Sequence, residues 1–422
     1  MKFVLAGHGT RGDVEPCAAV GRELLRRGHE VRMAVPPDVV GFVDAAGLAA
    51  VACGLDTQAT MDAHRDFWRD LFGNFWRPRD LITVWRASWE PTFQAWGEMS
   101  TTLTSLAEGA DLIFTGMVLD SVAANVAEYY DIPLATLDHL PLRSNGQLVP
   151  FLPAALGRST MTVVEWLVWR VWKKAEDAQR RELGLPKATG PGSRRIAERG
   201  SLEIQAYDEV CFPGLAAEWA KWDGQRPFVG ALTMELPTDA DDEVASWIAA
   251  GTPPIYFGFG SMPAESPADT LAMIGAACAQ LGERALVCAG WTDFSHLPHF
   301  EHVKVVAAVN HAAIFPACRA VVHHGGAGTT AAGLRAGVPT LILWMLGDQP
   351  LFGSVVKRLK VGAARRFSST TRESLVADLR TILAPQYVTR ARDVGTRMTK
   401  PADSVATAAD LLEDFARLRR VG

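Results

Sequence analysis

Short apolar runs alternate along this chain with longer stretches in which apolar positions recur at helical spacing. The first 36 residues set the pattern: a run from Lys2 to Ala6, a glycine-rich turn GHGTRGD, a stretch of helical period, and a run from Glu30 to Val35 that stops at Pro36-Pro37. This reads as the opening of a βαβ unit. DLIFTG (111–116), a helix through Tyr130 and IPLATL (132–137) repeat it, and apolar runs at 202–206 and 227–230 predict further strands. Beyond Pro237 the acidic stretch TDADDEVASW breaks the pattern and reads as a solvated linker. Alternation restarts at PIYFGFGS (254–261) and continues through RALVCAG (284–290), VKVVAAV (303–309), AVVHH (320–324) and PTLILWM (339–345). Strands separated by helices give parallel sheets covered on both faces. The predicted fold is therefore α/β, with two doubly wound, Rossmann-like domains over 1–236 and 237–422. A last amphipathic stretch, roughly 404–419, predicts a terminal helix whose apolar face docks on one of them, a return to the first domain being one option.

Composition narrows the class. With 48% hydrophobic residues, 21% charged residues and a formal net charge of −5, the 422-residue chain is neither a disordered chain nor a polybasic nucleic-acid binder. Six scattered cysteines without a CxxC pair, and a Met1-Lys2 start that runs directly into FVLA, fit a reducing, cytoplasmic compartment. No apolar stretch approaches the roughly 20 residues of a spanning helix. The best candidate, MTVVEWLVWRVW (161–172), carries Glu165 and Arg170.

Gly7, Gly9 and Gly12 form a GxGxxG between a strand and a helix, the pattern of a dinucleotide-binding turn, and a nicotinamide oxidoreductase is the competing enzyme class. Asp13 and Glu15 argue against it, because they add negative charge where a pyrophosphate would sit. The acidic residue expected at the end of the second strand is also missing, since that position reads AVPP. The same turn presents Asp13 at a strand carboxyl end, where a carboxylate can serve as a general base. Its plain alternative is a helix-capping residue, and His8 is the competing base.

The second half carries VVHHGGAGTTAAGLRAGVPTLILWMLGDQPLFG (321–353). A strand ending at His323-His324, turns at Gly325, Gly326 and Gly328, and a helix opened by Thr329 and Thr330 together describe an anion site of backbone N–H groups. Asp348 and Gln349, after the next strand, can hydrogen-bond adjacent sugar hydroxyls. A diphosphate site beside a polyol site implies a nucleotide sugar. No metal is called for: His296, His299 and His302 are spaced by three, but Pro298 interrupts any helix.

The GTRGDVEP turn, the GFGSM segment and the HHGGAGTT to GDQP block resemble the inverting nucleotide-sugar glycosyltransferases of the GT-B type, two Rossmann-like domains facing across a cleft. Within that type the chain is most similar to the antibiotic and sterol glycosyltransferase group, and there to mycobacterial-type enzymes acting on glycopeptidolipids and phenolic glycolipids. The resemblance implies Asp13 as catalytic base, with Thr10 and Gly12 lining its turn. It implies diphosphate contacts from Ser261, His324, Gly325, Gly326, Gly328 and Thr329, base recognition around Val309, and sugar contacts from Asp348 and Gln349. Two departures stand out. The partner aspartate of histidine-based relatives is replaced by Gly116, with Asp120 only a loose candidate, and a base-stacking tryptophan is replaced near Ala308. Trp291 could compensate for the latter or simply pack.

The implied reaction moves a hexose or 6-deoxyhexose from a dTDP- or UDP-sugar to a hydroxyl of a hydrophobic acceptor, with no cofactor beyond that co-substrate. The acceptor is a glycolipid or glycopeptidolipid, with natural products such as macrolides, glycopeptides or sterols as the alternative. A GT-B protein that binds the sugar nucleotide without transferring it, or an epimerase, is the third reading. Aromatic density over 64–99 (Phe67, Trp68, Phe72, Phe75, Trp76, Trp85, Trp89, Phe93, Trp96) suits either an acceptor loop or core packing. Trp166, Trp169 and Trp172 beside Arg170, Lys173 and Lys174 suit either a core helix or peripheral membrane association. The expected assembly is a monomer or homodimer that binds no nucleic acid.

Overall fold

The computed structural model describes residues 1–57, 78–148, 152–222, 224–260, 266–290, 300–345 and 347–420, excluding the side chains of 78–89 and 419–420. The chain divides into two compact units, Met1–Met234 together with Lys400–Gly422, and Glu235–Thr399.

Each unit holds one six-stranded, all-parallel sheet. In the first, β1 (Lys2–Ala6), β2 (Glu30–Val35), β3 (Ala49–Ala52), β4 (Leu112–Gly116), β5 (Leu134–Asp138) and β6 (Leu202–Gln205) lie in the order β3-β2-β1-β4-β5-β6. In the second, β7 (Ile255–Gly258), β8 (Ala285–Cys288), β9 (Val303–Val306), β10 (Ala320–His323), β11 (Thr340–Trp344) and β12 (Gly362–Arg366) lie in the order β12-β11-β10-β7-β8-β9. Numbered within each unit, both orders are 3-2-1-4-5-6, with the switch point between the first and fourth strands.

Successive side chains of β1 alternate between two apolar layers. Phe3 and Leu5 join a cluster with Val14, Leu24 and Phe114, while Val4 and Ala6 join one with Met99, Leu103 and Val126. Burial on both faces is why these strands read as continuous apolar runs. β7 repeats the device, Phe257 facing Leu341 and Leu375 and Tyr256 facing Val321 and Phe315.

Several elements differ from expectation. β3 (AAVA) and β12 (GAARR) were not predicted: both are edge strands with few buried positions, and the alanines that dominate them carry little strand preference. Residues 227–230 contribute only a single parallel bridge, Gln205 to Phe228. The acidic linker is instead the anchored start of the helix Asp241–Ala249. The Asp241 carboxylate accepts from Thr238 N–H (2.7 Å), Thr238 Oγ1 (2.8 Å) and Asn310 N–H (2.8 Å). Burial opposes its ionisation, but these donors hold its carboxyl below the usual range.

The terminal helix Pro401–Arg420 belongs to the first unit and packs on the helix Arg11–Arg26. Ala408, Ala409, Leu412 and Ala416 are fully buried there, three alanines allowing close approach. Arg27 closes the rim with Asp410 (2.6 Å) and Glu413 (3.3 Å), and His29 Nε2 lies 2.9 Å from Glu413. Leu412→Ala should therefore destabilise the protein by about 2–4 kcal/mol through lost transfer energy and a residual cavity. Arg27→Ala, at the partly exposed rim, should cost about 1 kcal/mol or less. Urea unfolding of the two variants checks the ranking.

Candidate functional site

At the first unit's switch point the chain leaves β1 through Gly7, whose N–H donates to Ala34 O (3.0 Å), and enters the helix Arg11–Arg26 at Thr10. Asp13 Oδ2 accepts from Thr10 N–H (2.8 Å) and Thr10 Oγ1 (3.0 Å). A Cβ at Gly9 would collide with this carboxylate, which explains the glycine between His8 and Thr10. The carboxylate therefore occupies the helix N-terminus on which a dinucleotide pyrophosphate would have to rest, consistent with the charge argument against that reading. Capping uses one oxygen. The other, Oδ1, lies 3.9 Å from His139 Nε2, and the Asp13 side chain remains 35% exposed against 15% for His139.

His8 sits behind the turn. It is buried, and burial lowers its pKa against the opposing pull of Asp13 and Asp38. Its Nδ1 has no hydrogen-bond partner among the described residues. Asp120 is drawn elsewhere: it opens the helix Asp120–Tyr130, accepts from Ser121 Oγ (3.1 Å) and lies 3.6 Å from Arg143. Arg143 is itself buried and also pairs with Glu203 (2.5 Å) and Asp138 (3.5 Å). Burial pushes the Asp120 carboxyl up to about 6 despite that guanidinium. The side chain brought to Asp13 is thus His139, a residue without any motif around it in the sequence.

The second unit's switch point joins the carboxyl ends of β7 and β10. The His324 ring lies between two glycine backbones there: a Cβ at Gly260 would approach its Cε1 to 2.9 Å, and one at Gly326 its Nε2 to 2.7 Å. Gly260 and Gly326, more than sixty residues apart in the chain, are thus two walls of one slot. Gly325, at φ 103°, packs against Ile342 and the backbone of Gln349, so the turn also leans on the second half of the 321–353 block. Gly326 is the N-cap of the helix Ala327–Arg335. Gly328 and Thr329 lie in its first turn, whose leading N–H groups have no intrahelical acceptor. Thr330 is turned inward, its Oγ1 donating to Gly326 O (2.8 Å).

His323 is fully buried, and its Nδ1 accepts from Gly325 N–H (3.0 Å), which places the ring proton on Nε2. Burial holds both imidazoles neutral, His323 far below its usual range and His324 lowered to about 4. A neutral His324 still carries one N–H donor.

Asp348 occupies the N-cap position of the helix Gln349–Leu359. Gln349 is 5% exposed, and its Oε1 accepts from Met345 N–H (2.7 Å), so this amide closes the loop after β11. Val309 is buried beside Asn310, whose N–H is held by Asp241. Ser261, Trp291, His296 and His299 lie outside the described residues. His302 is structural, its Nε2 bonded to Gly275 O (2.9 Å), and no cluster of metal-binding side chains occurs among the described residues.

Burial pushes the thiols of Cys17, Cys53, Cys278 and Cys318 up to about 12, leaving them poor nucleophiles. Of the aromatic stretch, Phe93 and Trp96 pack against Trp172 (4.8 and 5.6 Å), and Trp96 Nε1 donates to Gln179 (3.0 Å). Phe67, Trp68, Phe72, Phe75 and Trp76, and the side chains of Trp85 and Trp89, fall outside the described residues. The helix Ala154–Glu182 divides its tryptophans: Trp169 is buried and bonded to Glu176 (2.8 Å), whereas Trp166 is exposed beneath Arg170. Among the described residues no helix is long and apolar enough to cross a membrane.

Comparison with known proteins finds matches in both halves of the chain. Residues 3–96 match the glycosyltransferase family 28 N-terminal domain, and residues 261–413 match the C-terminal domain of erythromycin biosynthesis protein CIII-like proteins. The uncharacterized glycosyltransferase Rv1524 of Mycobacterium tuberculosis is 63% identical over 100% of both chains. Among solved structures, the glycotransferase of kitacinnamycin aligns with a TM-score of 0.71 at 18% identity, covering 98% of this chain and 99% of that one. The glycosyltransferase VinC in complex with dTDP aligns with a TM-score of 0.64 at 18% identity, covering 99% and 100%.

The buried histidines carry a pH signature. Their protons bind the unfolded chain near pH 6.5 and the folded chain only well below it, so stability present above that value is lost as pH falls toward 4. Asp120, with its raised carboxyl, works in the opposite direction in every variant. Urea unfolding at pH 7 and pH 5 should show the wild type losing on the order of 2 kcal/mol more than His324→Gln.

Proposed function

The chain belongs to the glycosyltransferases, of GT-B type and related to the antibiotic glycosyltransferases, and from that membership we propose that it transfers a hexose or 6-deoxyhexose with inversion from a dTDP- or UDP-sugar to a hydroxyl of a hydrophobic acceptor. The observation that carries the donor half is the slot at the second switch point. His324, held between Gly260 and Gly326, stands beside the free N–H groups of a helix N-terminus, an arrangement suited to a diphosphate. In this reading His324, Gly325, Gly326, Gly328 and Thr329 hold the diphosphate with Ser261, Asp348 and Gln349 contact the sugar, and the backbone around Val309 meets the base. The dTDP complex of VinC supports a thymidine nucleotide in such a fold.

Asp13 supplies the other half. Fixed through Oδ2, it offers Oδ1 to the acceptor hydroxyl, and Thr10 and Gly12 shape its turn. As the hydroxyl loses its proton, its oxygen bonds to the anomeric carbon while the nucleoside diphosphate departs with the bonding electron pair. Helix N–H groups and the His324 donor stabilise the charge that develops on the leaving group. No resident cofactor enters this scheme.

For the acceptor, we read a glycolipid or glycopeptidolipid, with small natural products as the alternative. Leu156, Val163, Val164, Trp166 and Leu167 are exposed along the helix Ala154–Glu182, with Arg170 stacked on Trp166. This stripe supports peripheral contact with a lipid surface. Co-sedimentation with anionic vesicles should be lost in Trp166→Ser/Leu167→Ser, and absence of wild-type sedimentation would remove the membrane element of the reading.

Asp13→Asn keeps the capping oxygen and removes the base. Its transfer rate should fall about 100-fold or more. Affinity for UDP- and dTDP-hexoses, measured calorimetrically, should stay within about 2-fold, while His324→Gln should weaken it about 10-fold. A fully active Asp13→Asn enzyme overturns the base assignment.

A further inference from the structure

A carboxylate that takes a proton in each turnover must lose it before the next. The first switch point provides a group for this. Asp13 is fixed through Oδ2 by both donors of Thr10, and its Oδ1 faces His139 Nε2 across 3.9 Å. A gap of that size is closed by a small side-chain rotation or bridged by one water. His139 directly follows β5, and its side chain is 15% exposed, so it faces both the carboxylate and solvent.

The surrounding charges are committed elsewhere. Asp138, the preceding residue, is buried against Arg143 and Gln205. Asp120 is held by Arg143 and Ser121. Asp38 accepts from the N–H and Oγ1 of Thr57, both at 3.0 Å. His8, beyond the Asp13 carboxylate, is sealed in the interior. Among these ionisable groups, only His139 is both partly exposed and within ion-pair reach of Asp13.

Resting on the reading of Asp13 as base, we propose that His139 forms a proton-transfer pair with it, accepting at Nε2 the proton that Asp13 Oδ1 takes from the acceptor alcohol. The bookkeeping is complete. The alcohol oxygen bonds to the anomeric carbon, the bond from that carbon to the diphosphate oxygen breaks, and the diphosphate keeps the electron pair. The alcohol proton passes to Oδ1, then to neutral imidazole, and the imidazolium returns it to solvent. His139 acts through Asp13 and is a positioning residue for proton traffic, without contact to the sugar.

The test uses the full chain with isotope-labelled histidine, comparing wild type, Asp13→Asn, His139→Gln and the double variant, each first matched by thermal melt. NMR of the labelled rings needs no acceptor. The His139 ring resonances should move in Asp13→Asn, because the carboxylate oxygen that faces the ring is replaced. Turnover is read as nucleoside diphosphate released from UDP-glucose and dTDP-glucose with 4-methylumbelliferone as probe alcohol. His139→Gln should lower kcat about 10-fold or more, leave donor KM within about 2-fold and change the pH profile. The double variant should be no slower than Asp13→Asn. Unmoved His139 ring resonances, or a His139→Gln enzyme with wild-type kcat and pH profile while Asp13→Asn is inactive, overturn the pair and leave the base reading standing. An active Asp13→Asn enzyme overturns the base reading itself.

Discussion

An imidazole ring can lie against two stretches of backbone only if neither carries a side chain at the point of contact. That constraint organises the second unit. His324 ends β10, and the residues facing its ring are Gly260 and Gly326. Gly260 adopts φ 61°, and a Cβ on Gly290 would strike its carbonyl. The slot therefore extends from the loop after β8 through that after β7 to the turn after β10. Adjacent strands β8, β7 and β10 bring the three glycine turns together because the sheet order places them side by side. The shape of this edge depends on the ring staying where these absences hold it.

The first unit manages charge differently. Arg143 is buried among Asp120, Asp138 and Glu203, and Glu203 is shared with Arg226 (3.1 Å). Buried charges are tolerated only when paired in this way, and removing one partner strands the others. The network occupies the region around the ends of β4, β5 and β6. Asp13 and His139 keep partial exposure at the same end of the sheet. One cluster is thus internally paired structure, and the other is left to meet what comes from solvent.

Much of this was legible from residue order. β1, β4, β7 and β10 announce themselves as apolar runs because both of their faces are buried, and the glycine turns after β1 and β10 stand out because their spacing is unusual. Two of the edge strands did not, since Ala49–Ala52 and Gly362–Arg366 bury too little to carry a pattern. For Asp13 the base and cap readings were legible only as two alternatives; distances were needed to show that capping occupies one oxygen and leaves the other open. His139 left no signal at all. β4 lies between β1 and β5, so the approach of their following loops depends on loop conformation, which no local pattern encodes.

The helix Pro401–Arg420 completes the core of a unit whose strands all lie within Met1–Met234. During synthesis, which proceeds from the N-terminus, the apolar groove on the helix Arg11–Arg26 must wait for it. Glu235–Thr399, encoded in between, has all of its own strands before that helix emerges from the ribosome. The portion made first is therefore the portion finished last, and a nascent chain halted anywhere before position 401 carries an uncovered apolar surface for chaperones to shield.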